Sequence, residues 1–140
     1  MITNFDTNKV YLAKGMRSEM YVNATAHLLG TLHNYKVHWD FLPQTTSPLH
    51  IWARDYMPVQ VSKNKFVRFN YSPDYLKCHP EYKPDTSAIL SALGIQVTDS
   101  DIIIDGGNVI SCGDKVIMTD KIFRENPHYE RNALIKTLSQ

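Results

Sequence analysis

The chain has 140 residues, 43% of them hydrophobic and 21% charged, which suits one folded domain with an apolar core. Its formal net charge is +1 and no run of Lys or Arg occurs, so charge gives no reason to expect a nucleic acid or an anionic membrane as partner. No stretch approaches the length of a bilayer span and the opening residues lack a secretion-signal pattern, so the expectation is a cytoplasmic protein.

In chain order, "KVYLA" (Lys9 to Ala13) reads as a short strand. Ser18 is a candidate N-cap for a helix that carries Tyr21, Thr25, Leu28 and Leu32 at helical spacing and ends near Asn34. "YKVHWDFLP" alternates Val37, Trp39 and Phe41 with Lys36, His38 and Asp40, the period of a half-buried strand stopped by Pro43. A Thr/Ser/Pro loop follows, and then "HIWARDYMP", where Trp52, Arg54 and Asp55 stand together in strand-like sequence.

"MPVQVSKNKFVRFNY" predicts a hairpin turning at Lys63 and Asn64. "KPDTSAILSALG" predicts a short helix with Asp85 as N-cap, Ile89, Leu90 and Leu93 as its apolar face and Gly94 past the last turn. A strand-like "IQV" comes next, then "DIIIDGGNVISCGDKVIMTD", an apolar run with a carboxylate and a second hairpin turning at Gly113 and Asp114. Asn126 and Pro127 read as N-cap and first residue of a last helix.

The order helix, strand, acidic motif, hairpin, helix occurs twice, and Asp55 and Asp105 precede the hairpin residues Lys65 and Lys115 by the same interval. We read one incomplete domain over 1–140, with a first ββαβ-like repeat at about 9–70, a second at about 84–120 and a further helix from 126. A radial arrangement of such units brings both carboxylates toward one axis, and two copies are too few to close a ring. The helix at Gln140 has no capping glycine, which reads as a chain truncated relative to its architecture.

Carboxylates that meet in one cavity suit a cation. A guanidinium fits well, because its fork of N–H donors pairs with carboxylates and its face stacks on an indole such as Trp52. A plainer reading stands beside this one: Arg54 and Asp55 as a buried ion pair, Trp52 as core, and the "DGGN" segment as a tight turn allowed by Gly106 and Gly107. Cys78 and Cys112 show no metal or disulfide spacing and read as reduced, structural thiols, with Cys112 packed in its hairpin. Cys78 beside His79 and Glu81 has the residue types of a nucleophile and its helpers, but neighbours in sequence rarely point at one another. The remaining histidines lack metal spacing, and His50 lies nearest the acidic motif.

"WARDYMPVQV" resembles the W-x-R-D-x-G-P motif of agmatine deiminases and the bacterial peptidylarginine deiminases grouped with them. "DGGNVISCGDKVIMTDKIFRENP" resembles their [E/D]-G-G-N segment with its hairpin and N-P. The resemblance covers most of the chain and implies an α/β fold, part of a pentein propeller of ββαβ units. It also implies a cofactor-free hydrolysis: a Cys thiolate attacks the guanidinium carbon, ammonia leaves, and water releases a ureido product, with a histidine as general acid and base.

By position Asp55 matches the family's first substrate-binding aspartate and Asp105 the second acidic position. Trp52 would help wall the site, Arg54 would brace the motif, and Gly106, Gly107 and Asn108 would shape the turn. Met57 stands where the family often has Gly, a change that would narrow the loop. The G-H-x-D segment and late nucleophilic Cys of the family have no counterpart in these residues, so the chain alone is expected to be inactive and, with apolar faces uncovered, to self-associate. A non-catalytic binding or assembly module is the alternative.

Overall fold

The computed structural model describes residues 6–43 and 50–139. Strand β1 (Lys9–Leu12) leads through helix α1 (Val22–Asn34) to strand β2 (His38–Phe41), which pairs with it in parallel. A second set of parallel strands is built in the same way: β4 (Lys65–Asn70) runs through α3 (Thr86–Leu93) to β5 (Thr98–Ile103). Strand β3 (Val59–Ser62) pairs antiparallel with β4, and β6 (Ile110–Cys112) with β7 (Lys115–Ile117). Among the described residues the chain is thus a mixed α/β structure of three small sheets, none closed on itself. Among the described residues no helix is long and apolar enough to cross a membrane.

Local sequence explains much of this. Asp85 accepts the Ala88 N–H at 3.2 Å and caps α3, while Gly94 adopts φ of 65° to end it, the left-handed position at which a side chain is strained. Both hairpins turn where their sequences predict, at Lys63-Asn64 and at Gly113-Asp114.

Four expectations need correction. Ser18 opens a 3-10 turn (Glu19–Tyr21) ahead of α1 and makes no side-chain cap, whereas buried Thr25 ties the helix down by donating to the Met16 carbonyl at 2.6 Å. In β2 the alternation survives without half-burying every second residue, because Trp39 remains 37% exposed. "IQV" is not strand: pairing with β4 captures Thr98 to Ile103 instead, so main-chain partners override the apolar run. Asn126 is not the N-cap of the last helix but stands at the C-cap of the helix before it. A short α4 (Lys121–Glu125) precedes it, and α5 (Arg131–Leu138) is capped by Glu130, which accepts the Ala133 N–H at 2.9 Å. The Thr/Ser/Pro loop falls on 44–49, outside the described residues.

The core falls into two apolar clusters. One gathers Ile102, Ile104, Val109, Ile122 and Leu134, and the other Leu42, Tyr56 and Ile89. Each fully buried Leu or Ile contributes about 1.5–3 kcal/mol relative to exposure. Asn126, 1% exposed, clamps the larger cluster: its Oδ1 accepts the Ile103 N–H at 2.8 Å, and its Nδ2 donates to the carbonyls of Ile103 at 2.9 Å and Ile122 at 2.8 Å. That clamp joins the end of β5 to the end of α4.

Removing it takes away the side chain that bonds the Ile103 N–H and the Ile103 and Ile122 carbonyls in the buried interior. Asn126→Ala is expected to destabilise the chain by about 2–4 kcal/mol in urea unfolding, with the slope unchanged. A loss within a few tenths of a kcal/mol would show that the clamp carries no weight.

Candidate acidic site

Asp55 does not sit on a strand. "HIWARDYMP" forms a short helix α2 (Ala53–Tyr56), and Tyr56, 4% exposed, anchors it in the smaller apolar cluster while its hydroxyl donates to the His50 carbonyl at 3.1 Å. Burial pushes the Tyr56 phenol up to about 12. Met57 packs on the same cluster, so its extra bulk is turned into the interior. Trp52 lies at the head of α2 and is 67% exposed, which removes the reading of it as core.

Asp105 lies in the 3-10 turn that opens the second hairpin. Its Oδ1 accepts the Asn108 N–H at 2.9 Å and so caps the turn Gly106–Asn108. Asn108 Oδ1 in turn accepts from Thr119, from the N–H at 2.9 Å and the hydroxyl at 2.8 Å, closing the base of the hairpin.

The two motifs meet. A Cβ on Gly106 would collide with the Arg54 carbonyl, so the backbones approach as closely as only glycine allows. A Cβ on Gly107 would stand 2.5 Å from Asp55 Oδ1 and 3.5 Å from Asp105 Oδ1, which puts the bare Gly107 between the two carboxylates. The Gly107 N–H bonds the Asp55 carboxyl. Arg54 sends its guanidinium to the Val109 carbonyl at 2.8 Å, a part-buried contact with the other motif. The ion pair of the plainer reading is not formed, and Arg54 instead links the two motifs.

Sequence reasoning missed Lys121. Its ammonium reaches Asp105 Oδ2 at 2.6 Å and Glu125 Oε1 at 3.3 Å. Burial lowers the Lys121 pKa, but the Asp105 hydrogen bond and charge, aided by Glu125, outweigh it and the net direction is up. The i,i+4 spacing of Lys121 and Glu125 is a visible helix signal, whereas nothing local announces the reach back to Asp105. Tyr71 and Tyr75 complete the surroundings: burial, then the Tyr75 hydroxyl, raise the Tyr71 phenol well above its ordinary value, with smaller contributions from Asp55 and Asp105.

Other candidates lie elsewhere. Cys78 and Cys112 are both free and exposed, so neither is a packed structural thiol. His79 Nδ1 does meet Glu81 Oε1, at 3.1 Å, and its ring stacks on Tyr82 with centroids 5.1 Å apart. His50 is turned to the Glu81 carbonyl at 3.4 Å. Among the described residues no group of three or more His, Cys, Asp or Glu side chains is placed to hold a metal ion.

A carboxylate pair bridged by a Gly-Gly turn is what the resemblance of both motifs leads one to expect. The signature of the Porphyromonas-type peptidyl-arginine deiminases matches residues 2–140. The chain belongs to that family. Among solved structures, C. jejuni agmatine deiminase matches with a TM-score of 0.63 over 98% of this chain, at 15% identity, which shows a shared fold. The match covers 51% of that protein, so this family member spans about half the length of the structure it resembles. No curated protein sequence matches.

In this deiminase-family chain, burial first and then the charge of Asp105 push the Asp55 carboxyl above its ordinary value, against the Gly107 N–H, Lys121 and Arg54. A carboxyl raised on folding is harder to ionise in the folded chain, so its charge costs stability at neutral pH. That cost fades as pH falls below the ordinary 3.8, where both states are protonated. Asp55→Asn, which keeps an acceptor for Gly107, should therefore melt higher than the parent at pH 7, with the gain lost at about pH 3. An equal difference at both pH values would contradict the strained carboxylate.

Proposed function

We propose that Asp55 is the carboxylate that grips a planar guanidinium, and that this chain carries the acidic binding part of an agmatine-deiminase-like guanidine hydrolase. The substrate is agmatine, giving N-carbamoylputrescine and ammonia, or free or peptidyl arginine, giving citrulline. One observation carries the reading: the Asp55 carboxyl, raised by burial and by Asp105, is held by a backbone N–H from the partner motif, while the Asp105 oxygens are engaged by Asn108 and Lys121. A raised, backbone-held carboxylate is stabilised by a ligand that brings positive charge and N–H donors.

Segments 9–70 and 84–120 are, on this reading, consecutive ββαβ units of a pentein propeller, supported by the recurring helix, strand, acidic turn and hairpin. Both cysteines lie on elements other than the two acidic turns' cores, one in the 3-10 loop after β4 and one at the end of β6. Attack on the guanidinium carbon is therefore assigned to a thiolate and an imidazole outside these 140 residues.

The test has two arms. Agmatine titrated into the 140-residue chain is expected to bind, and Asp55→Ala to weaken it at least about tenfold, the loss of a charge-assisted pair. The full-length gene product is expected to form ureido product, and its Asp55→Ala variant none. Equal binding by parent and variant would remove Asp55 from the site.

A second reading, a non-catalytic module that pairs with its own copy, draws on the β6-β7 hairpin. Ile110 and Ile117 pair across it and are 55% and 57% exposed, and the two strands have no other sheet partner among the described residues. Sedimentation at micromolar concentration should show association of the chain. A monomer with a cooperative melt would exclude it.

A further inference from the structure

Lys121 stands where three elements converge. It begins α4, its ammonium is gripped by Asp105 from the glycine turn and by Glu125 from its own helix, and it lies 5.3 Å from the centre of the Tyr75 ring. Glu125, with its side chain 5% exposed, is itself fixed, since Oε1 also accepts the Asp74 N–H at 3.2 Å. The ammonium is thus a held charge, unlike the exposed pair Arg124 and Asp120 on the same helix, whose side chains are both over 70% exposed.

We propose that Lys121 is a positioning residue for the ligand site: its ammonium occupies Asp105, so that of these two carboxylates it is Asp55 that takes the incoming guanidinium. This rests on the reading of Asp55 given above. The carboxylates flank Gly107 closely enough that a guanidinium fork could otherwise bridge both. With Asp105 Oδ1 on the Asn108 N–H and Oδ2 on Lys121, the turn keeps its shape and the Gly107 N–H stays aimed at Asp55. The charged groups that face Asp55 are Asp105 and Lys121 from the second motif and Arg54 from its own helix, with the Tyr71 phenol beside them.

Lys121→Met removes the cation and keeps the stem's bulk. Asp105 then joins the binding of methylguanidinium, and affinity at pH 8 rises by about tenfold, the gain of one further charge-assisted pair. Because Lys121 no longer offsets Asp105 beside Asp55, the pH at which binding is lost on acidification moves upward. Lys121→Arg restores the parent's affinity and midpoint, and Lys121→Gln reports the same neutralisation should the Met variant fold poorly. A purely structural lysine predicts weaker binding at every pH with the midpoint unmoved, and that result overturns the proposal.

Carboxyl NMR of Asp55 without ligand supplies an independent reading, since its titration midpoint should rise in Lys121→Met and not in Lys121→Arg. No binding by the parent at any pH, with the Asp55 midpoint shifting as expected, would sink the guanidinium reading and leave the Lys121 effect standing. An unmoved Asp55 midpoint would sink the Lys121 proposal alone.

Discussion

Everything at the acidic site depends on how closely the Gly106-Gly107 backbone lies on the first turn of the other motif. Gly106 sits against the Arg54 carbonyl where no side chain fits, Arg54 reaches across to Val109, and Gly107 gives its N–H to Asp55. These contacts run in both directions between residues far apart in sequence. They let Asp55 keep a carboxylate half-buried beside a second one, an arrangement that like-charge repulsion opposes.

The cost of that arrangement, borne by the Asp55 charge, is offset by the surroundings. Asp105 is compensated on one oxygen by a backbone N–H and on the other by an ammonium, and Tyr56 pins α2 into the smaller apolar cluster. Asn126 stiffens the opposite side by joining β5 to α4, the helix that presents Lys121. Packing, capping and ion pairing therefore converge on Asp55, a carboxylate with a backbone N–H but no ion-pair partner among the described residues, the pattern expected where a binding site stores unfavourable electrostatics.

Much of this was legible in the sequence, for local reasons. The Asp85 cap and Gly94 end of α3, the two hairpin turns and the matched positions of Asp55 and Asp105 each depend on a few neighbouring residues. What escaped reading depends on partners remote in sequence. β5 takes its bounds from β4 rather than from its apolar run, and Asn126 looks like the N-cap of a following helix until β5 is folded beside it. Cys112 reads as packing but projects from a hairpin to solvent, and Lys121 is one more surface lysine until the turn at Asp105 is placed against it.

The separation that hid these contacts also sets when the site can form. Arg54 and Val109 are 55 positions apart, and closing a loop of that length costs about 3.5 kcal/mol in chain entropy before any contact repays it. Hairpins and α3 need only short loops, on microsecond timescales. The acidic site is accordingly a late product of folding, expected to appear in hydrogen-exchange pulses only after both hairpins are protected, and protection of the Gly107 amide before theirs would refute that order.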